Sequence, residues 1–178
     1  MRSGDEEARS PKYAHIERER RFLVDPAKRP DLAGLSFVEI DDRYLDGTRL
    51  RLRRMHDSAS GAVVFKLTKK YETGDVRARP IVTAYLTEAE YQVFATLPAR
   101  RLVKRRYEVQ APGGVFGIDM FLGNLEGVVL AEIECADDAA LSALILPDWA
   151  IEVTEDPRFE GGYLSQLTAA EAAALRTG

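Results

Sequence analysis

Apolar and polar residues alternate along most of this chain, and several of the polar runs carry charges two residues apart. Alternation with a period of two is typical of β-strands, in which residues i and i+2 share a face. Turn-forming residues separate the runs by short intervals, which favours antiparallel neighbours. The candidate strands are 15–24, 37–45, 49–55, 62–70, 76–86, 102–109, 115–121, 128–135 and 150–154.

Helical signals are few and lie between or after these strands. Thr87 and Glu90 have the spacing of a capping box, which predicts a helix running towards Pro98. Two more helices are predicted over 137–144 and 164–176, the second because it is rich in alanine and leucine. Residues 26–34 have room for one short turn.

Many short antiparallel strands with little helix favour a barrel, because closure removes exposed sheet edges. We therefore predict a mainly β (α+β) fold, a closed antiparallel β-barrel or tunnel of about eight strands with a few peripheral helices. The length of 178 residues suits a single domain, predicted over 12–178, after a polar segment 1–11 that is predicted to be disordered.

Composition excludes several classes of protein. The net charge of −4 argues against general nucleic-acid binding. Cys135 is the single cysteine, so neither an internal disulfide nor a multi-cysteine metal site is expected. No run approaches the roughly 18 apolar residues that span a membrane, and the N-terminus lacks the apolar core of a secretory signal. A cytoplasmic protein without membrane contact is expected.

The charges segregate by strand, with acids paired on some faces and bases on others. This is unlike the mixed charges of an ordinary solvent-facing strand. The shared faces are Glu17, Glu19 and Arg21; Arg51 and Arg53; Lys66, Thr68 and Lys70; Lys104 and Arg106; and Glu132 and Glu134.

Two interpretations of these faces are open. Each face taken alone is most simply exposed to solvent. If the faces instead point into a barrel, unpaired buried charge would be costly, so the lumen must bind a highly charged anion together with a cation. Mg²⁺ or Mn²⁺ with carboxylate and phosphate oxygens meets both requirements, with arginine and lysine gripping the phosphates.

The order of these motifs resembles the CYTH, or triphosphate tunnel metalloenzyme, superfamily. Its E-x-E-x-K strand is similar to 17–21, its V-R-V-R strand to 50–53, and its L-T-x-K strand to 67–70. Its K-x-R-Y strand is similar to 104–107. The D-x-F, E-x-E and E-V-T elements are similar to 119–121, 132–134 and 152–154, and Tyr44 matches a Tyr-Leu element.

The resemblance implies a closed tunnel, a divalent metal (Mg²⁺ or Mn²⁺) and hydrolysis of a triphosphate. The implied metal ligands are Glu17, Glu19, Glu132 and Glu134. The implied substrate-binding residues are Tyr44, Arg51, Arg53, Lys66, Lys70, Arg79, Lys104 and Arg106, and the catalytic candidates are Glu19, Arg21 and Glu152.

The chain departs from the family pattern at two places. Arg21 replaces the lysine of E-x-E-x-K, which keeps the charge but not the compact ammonium. Ile81 and Thr83 stand where the family has two further carboxylates, and Pro80 weakens strand pairing there. The number of metals and the catalytic competence of the tunnel are therefore open.

Three functions remain in view: a metal-dependent triphosphatase, a polyphosphate- or nucleotide-binding module with little turnover, and a class IV-type adenylate cyclase. The expected partner is a polyphosphate or nucleotide small molecule. The alanine-rich final helix is compatible with capping the barrel or with contacting a second subunit, so a homodimer is left open.

Overall fold

The computed structural model describes residues 12–176, and it consists of nine strands and a few short helices. The strands are β1 (His15–Val24), β2 (Val38–Leu45), β3 (Leu50–Asp57), β4 (Val63–Lys70), β5 (Ala78–Leu86), β6 (Ala99–Ala111), β7 (Gly114–Phe121), β8 (Val129–Glu134) and β9 (Ala150–Glu152). The segment predicted to be disordered, 1–11, lies outside the described residues.

The first eight strands close into an antiparallel barrel, as predicted. Their order around the ring is β5-β4-β3-β2-β6-β7-β8-β1, and β1 returns to β5. Closure depends on β1, which pairs with β5 through 15–18 and with β8 through 19–23. The strand β9 extends the sheet by pairing with Phe22, Leu23 and Val24 of β1.

β6 is longer than the sequence predicted, because Ala99–Arg101 already pair with β2. These residues include two adjacent arginines, so they do not alternate between apolar and polar residues. Pairing with a neighbouring strand therefore extends β6 beyond the reach of the sequence pattern.

The helices are α1 (Glu88–Ala95), α2 (Asp138–Ser142), α3 (Gly161–Leu164) and α4 (Ala169–Ala174). The predicted capping box of α1 is present, with Thr87 and Glu90 hydrogen-bonding each other's backbone. The prediction of one continuous helix over 164–176 was wrong. Thr168 forms a second capping box with Glu171, and this starts α4 as a separate helix. Residues 26–34 contain turns but no helix.

Three apolar clusters join the barrel to the segments that pack against it. Helix α1 packs Tyr91 against Leu45 and Leu52 on the outside of β2 and β3. Trp149 covers Phe116 and Phe22 on the outside of β7 and β1. None of the helices in the described range has the length and apolar character that crossing a bilayer requires.

The third cluster joins the C-terminal segment to the barrel. Phe159 and Leu164 from this segment pack with Leu102, Phe121 and Leu130 from the barrel strands. All five of these side chains also line the central cavity. The C-terminal segment therefore supplies part of the wall of the barrel interior.

Candidate active site in the barrel interior

The barrel encloses a cavity of about 400 Å³ whose wall is rich in charged side chains. Alternation along the strands directs the charged faces inward, which decides between the two interpretations of the sequence pattern. The lining cations are Arg21, Arg49, Arg51, Arg53, Lys70, Arg79, Arg100, Lys104 and Arg106, and the lining carboxylates are Glu17, Glu19, Glu72, Glu132 and Glu160.

Most of the side chains singled out from the sequence meet in this cavity. They are Glu17, Glu19, Arg21, Tyr44, Arg51, Arg53, Lys70, Arg79, Lys104, Arg106 and Glu132. The residues come from β1 to β6 and β8, so the site depends on closure of the ring.

The structure does not bring Lys66, Glu134 and Glu152 into the cavity. The Lys66 ammonium lies over the exposed ring of Tyr85, 5.0 Å from its centroid. Alternation predicts the face of a residue, but it does not predict which positions along that face line the cavity.

The other two residues have their partners away from the cavity. Glu134 is exposed at the end of β8, with a carboxylate oxygen 3.4 Å from Nε2 of His15. Glu152 pairs with Arg20, which lies on the opposite face of β1 from Glu19 and Arg21. Glu152 therefore lies on the outer side of the wall.

One buried ion-pair network joins β6, β7 and β8. The Lys104 ammonium lies 2.5 Å from a carboxylate oxygen of Asp119, and the Arg106 guanidinium donates to both Asp119 oxygens at 2.7 and 2.6 Å. Arg106 also donates to Glu132. Gly117 permits this reach, since a Cβ there would lie 3.0 Å from Cδ of Arg106.

The titration of this network follows from its charges. Burial raises the pKa of Glu132, but Lys104, Arg106 and Arg21 outweigh it and hold the pKa well below its usual range. Burial lowers the pKa of Lys104, and the opposing charge of Asp119 does not fully restore it. The carboxylate of Glu132 therefore stays ionised at neutral pH.

Asp42 forms a second buried network, on β2 and β3. It accepts two hydrogen bonds from Arg53, and Nε of Arg51 lies 3.8 Å from one of its oxygens. Burial raises the pKa of Asp42, but Arg53 and Arg51 outweigh it, so the pKa falls to about 2.

Asp42, Asp119 and Glu160 were not among the site residues chosen from the sequence. Asp42 lies two residues before Tyr44, so the i, i+2 rule places it on the same face. Asp119 stands alone among apolar neighbours, where no second charge marks the face. Isolated acids therefore escape a search for charge pairs.

A third group of charges surrounds the N-terminal strand. The Lys70 ammonium contacts Glu17 and lies 3.0 Å from Glu19. The Arg21 guanidinium donates to Glu19 at 2.9 Å and to Glu132 at 2.8 Å. Burial and the charge of Glu132 raise the pKa of Glu19, but Lys70 and Arg21 outweigh them and hold it below its usual value.

The C-terminal segment reaches the same cavity beside Tyr44. Glu160 accepts from Arg79 at 2.6 Å. A Cβ on Gly161 would lie 1.9 Å from the Tyr44 hydroxyl oxygen, so the close approach of these two residues requires glycine. Burial raises the pKa of Tyr44, which keeps its phenol protonated.

Three cavity arginines have a buried donor that is not used. The Nε atoms of Arg51, Arg79 and Arg100 have no hydrogen-bond partner within residues 12–176. A buried donor without an acceptor is costly, so an anion that accepts from these atoms gains affinity.

The acidic side chains give a partial fit to a divalent cation. In the described part of the chain, no group of three His, Cys, Asp or Glu side chains is placed to hold a metal ion. Glu17 and Glu19 nonetheless present hard oxygen ligands to a common point, the Lys70 ammonium. Mg²⁺ is commonly bound by one or two carboxylates with phosphates and water, and these residues fit that arrangement.

The fold and the site define a class, a closed antiparallel β-tunnel with cations and carboxylates paired across its interior. The chain belongs to the inorganic triphosphatase family. It is 35% identical over 153 residues to an inorganic triphosphatase of Nitrosomonas europaea, covering 83% of this chain and 95% of that one. An inorganic triphosphatase of Acetivibrio thermocellus is 47% identical over 57 residues, 32% of this chain and 35% of the relative.

Solved structures agree with this assignment. A crystal structure of an inorganic triphosphatase superposes with a TM-score of 0.54 and 28% identity, covering 84% of this chain and 93% of the other. A putative adenylate cyclase of Bacillus halodurans shares the fold, with a TM-score of 0.53 at 16% identity over 74% of this chain and 86% of that one. No family model matches the chain.

Proposed function

We propose that this protein hydrolyses a linear triphosphate inside its tunnel, and that it is a member of the CYTH superfamily. The observation that carries the proposal is the ring of inward-facing arginines and lysines around one cavity. In this ring, the buried Nε donors of Arg51 and Arg79 have no hydrogen-bond partner among the described residues. The family relationship supports the same reaction, since two relatives are named inorganic triphosphatases.

Substrate binding is assigned to cations on the two strands that flank β2. Arg51 and Arg53 project from β3, and Lys104 and Arg106 from β6. Guanidinium groups bind phosphate oxygens in a bidentate manner, and ammonium groups act as point charges. Arg79 on β5 lines the same cavity, as do Glu72 and Val76 of the β4–β5 connection, so it extends the binding surface on that side.

Catalysis is assigned to charge stabilisation and to one carboxylate. The arginines and lysines stabilise negative charge on the transferring phosphoryl group. Glu19 is ionised and lines the cavity, so it can accept a hydrogen bond from the attacking water. Arg21 fixes Glu19 by donating to it at 2.9 Å, and it fixes Glu132 at 2.8 Å. Glu152 takes no part in the proposed step, because it lies outside the cavity.

Glu17 and Glu19 would hold the divalent metal, Mg²⁺ or Mn²⁺, with Glu132 nearby. When bound, the metal supplies charge neutralisation and polarisation of the phosphoryl oxygens.

A binding module with little turnover is the second candidate. The observation in its favour is that Glu17, Glu19 and Glu132 are each already engaged by a cation of the protein. In addition, Ile81 and Thr83 supply no acid to the wall, and Thr83 instead hydrogen-bonds Thr68 at 3.0 Å. Fewer free acids near an anion favour affinity over metal chemistry.

A phosphate-release assay distinguishes the candidate functions. The assay uses tripolyphosphate, ATP and thiamine triphosphate, each with Mg²⁺ or Mn²⁺, beside calorimetric binding of the same compounds. A triphosphatase releases orthophosphate in a metal-dependent manner. Tight binding without release would instead establish a binding module, and formation of cyclic AMP from ATP would establish a cyclase.

A further inference from the structure

Lys70 occupies an unusual position for a residue assigned to phosphate binding. Its ammonium contacts Glu17 and lies 3.0 Å from Glu19, the same two carboxylates that fit a divalent cation. Because Glu17 and Glu19 are two residues apart on β1, their side chains converge from one face on a single point. The position of the ammonium and the position suited to the metal therefore coincide.

The charges in this contact favour lysine. A lysine side chain is ordinarily protonated at neutral pH, and the ammonium of Lys70 lies against the carboxylates of both Glu17 and Glu19. A divalent cation that enters alone must displace it, and it then adds charge to a region that Arg21 already makes positive.

Lys70 can leave this contact more readily than Arg21 can. Lys70 ends β4 at the edge of the cavity and keeps 30% of its side chain exposed, whereas Arg21 is 12% exposed and bound between Glu19 and Glu132. A lysine ammonium on a flexible stem also has more freedom than a planar guanidinium held by two partners.

We propose that Lys70 competes with the divalent cation for Glu17 and Glu19, so that strong metal binding requires a triphosphate to draw the ammonium away. The inference rests on the proposed function and deepens it. Phosphate oxygens accept from Lys70, and the two carboxylates are then released to the metal that accompanies the substrate. By linkage, metal and triphosphate each strengthen the binding of the other.

The test measures Mn²⁺ binding without any phosphate, from the loss of the free-ion signal in electron paramagnetic resonance. Lys70→Met and Lys70→Gln are expected to bind one Mn²⁺ about tenfold more tightly than the wild type, a change typical of removing one nearby like charge. Lys70→Arg keeps the charge and is expected to show no gain.

Two controls isolate the effect. Lys69→Met removes the neighbouring exposed lysine, whose ammonium lies over the ring of Tyr71, and should leave Mn²⁺ affinity unchanged. Adding Glu17→Gln to Lys70→Met should abolish the gain. Circular dichroism establishes that each variant is folded before its affinity is compared.

Equal Mn²⁺ affinity in the wild type and in the folded neutral variants would overturn the proposal. Micromolar binding of Mn²⁺ by the wild type alone would also overturn it, without any variant. Neither result depends on turnover. A failure of this inference is therefore distinguishable from a failure to hydrolyse tripolyphosphate.

Discussion

Asp42 and Arg53 face each other across β2 and β3 and form a bidentate ion pair, with nitrogen–oxygen distances of 2.6 and 2.7 Å. Asp42 is 1% exposed, so the pair is shielded from water. The preceding residue, Asp41, makes a similar bidentate pair with Arg101 on the outer face. These adjacent acids differ chiefly in burial, which makes them a matched pair for experiment.

Asp42→Asn is expected to lower the free energy of unfolding by about 3 to 5 kcal/mol, because it leaves the buried guanidinium of Arg53 without its counter-charge. Asp41→Asn should change it by less than about 1 kcal/mol, since the Arg101 side chain is 64% exposed. Urea denaturation measures both values. Equal losses from the two substitutions would show that burial does not set the strength of these pairs.

The same acid predicts a dependence of stability on pH. The pKa of Asp42 falls to about 2 in the folded chain, from an ordinary value of 3.8. Its stabilising contribution is complete above the unfolded-state pKa, and it is lost as the pH falls from about 4 to about 2. The difference in unfolding free energy between wild type and Asp42→Asn should therefore shrink over that range. A difference that grows as the pH falls would reverse the assigned sign.

Gly161→Ala is expected to destabilise the chain by about 1 to 3 kcal/mol through overpacking. The new Cβ would lie 1.9 Å from the hydroxyl oxygen of the half-buried Tyr44. Gly162→Ala is the matched control, because its Cβ would make ordinary contacts of 3.8 Å with the same ring. Thermal unfolding compares the two variants. Equal melting temperatures would mean that Gly161 does not lie in close contact with Tyr44.

Arg51→Ala should weaken calorimetric binding of tripolyphosphate by about 10- to 100-fold, the range typical of losing one hydrogen-bonded charge. Arg51 lines the cavity, and its buried Nε has no hydrogen-bond partner among the described residues. Arg105→Ala is the control, because it removes an arginine of the barrel that stacks on Phe37 outside the cavity. Unchanged affinity in Arg51→Ala, or an equal loss in Arg105→Ala, would place the anion elsewhere.

Much of the barrel could be predicted from the sequence because alternation has a direct physical cause. A strand with one inward face repeats every two residues, so the charge pairs of β1, β3 and β6 identified lumen residues before any geometry was known. The signal weakens where charges occupy both faces, as in Ile40–Tyr44, or where a single acid stands among apolar residues, as at Asp119.

Other features depend on relationships between distant segments. Lys66 and Glu134 lie on charge-paired strands but outside the cavity, where they meet Tyr85 and His15. The contribution of Glu160 and Gly161 depends on how the C-terminal segment packs against Tyr44 and Arg79. No local pattern encodes that contact.

Orthophosphate release from tripolyphosphate, compared between wild type and Glu19→Gln, tests the central claim most directly. Glu39→Gln, on the outer side of β2 beside Arg105, serves as the matched control. We expect release by the wild type and by Glu39→Gln, with a loss of about a hundredfold or more in Glu19→Gln. Tight binding of tripolyphosphate by the wild type without release, or full activity in Glu19→Gln, would contradict a triphosphatase centred in the tunnel.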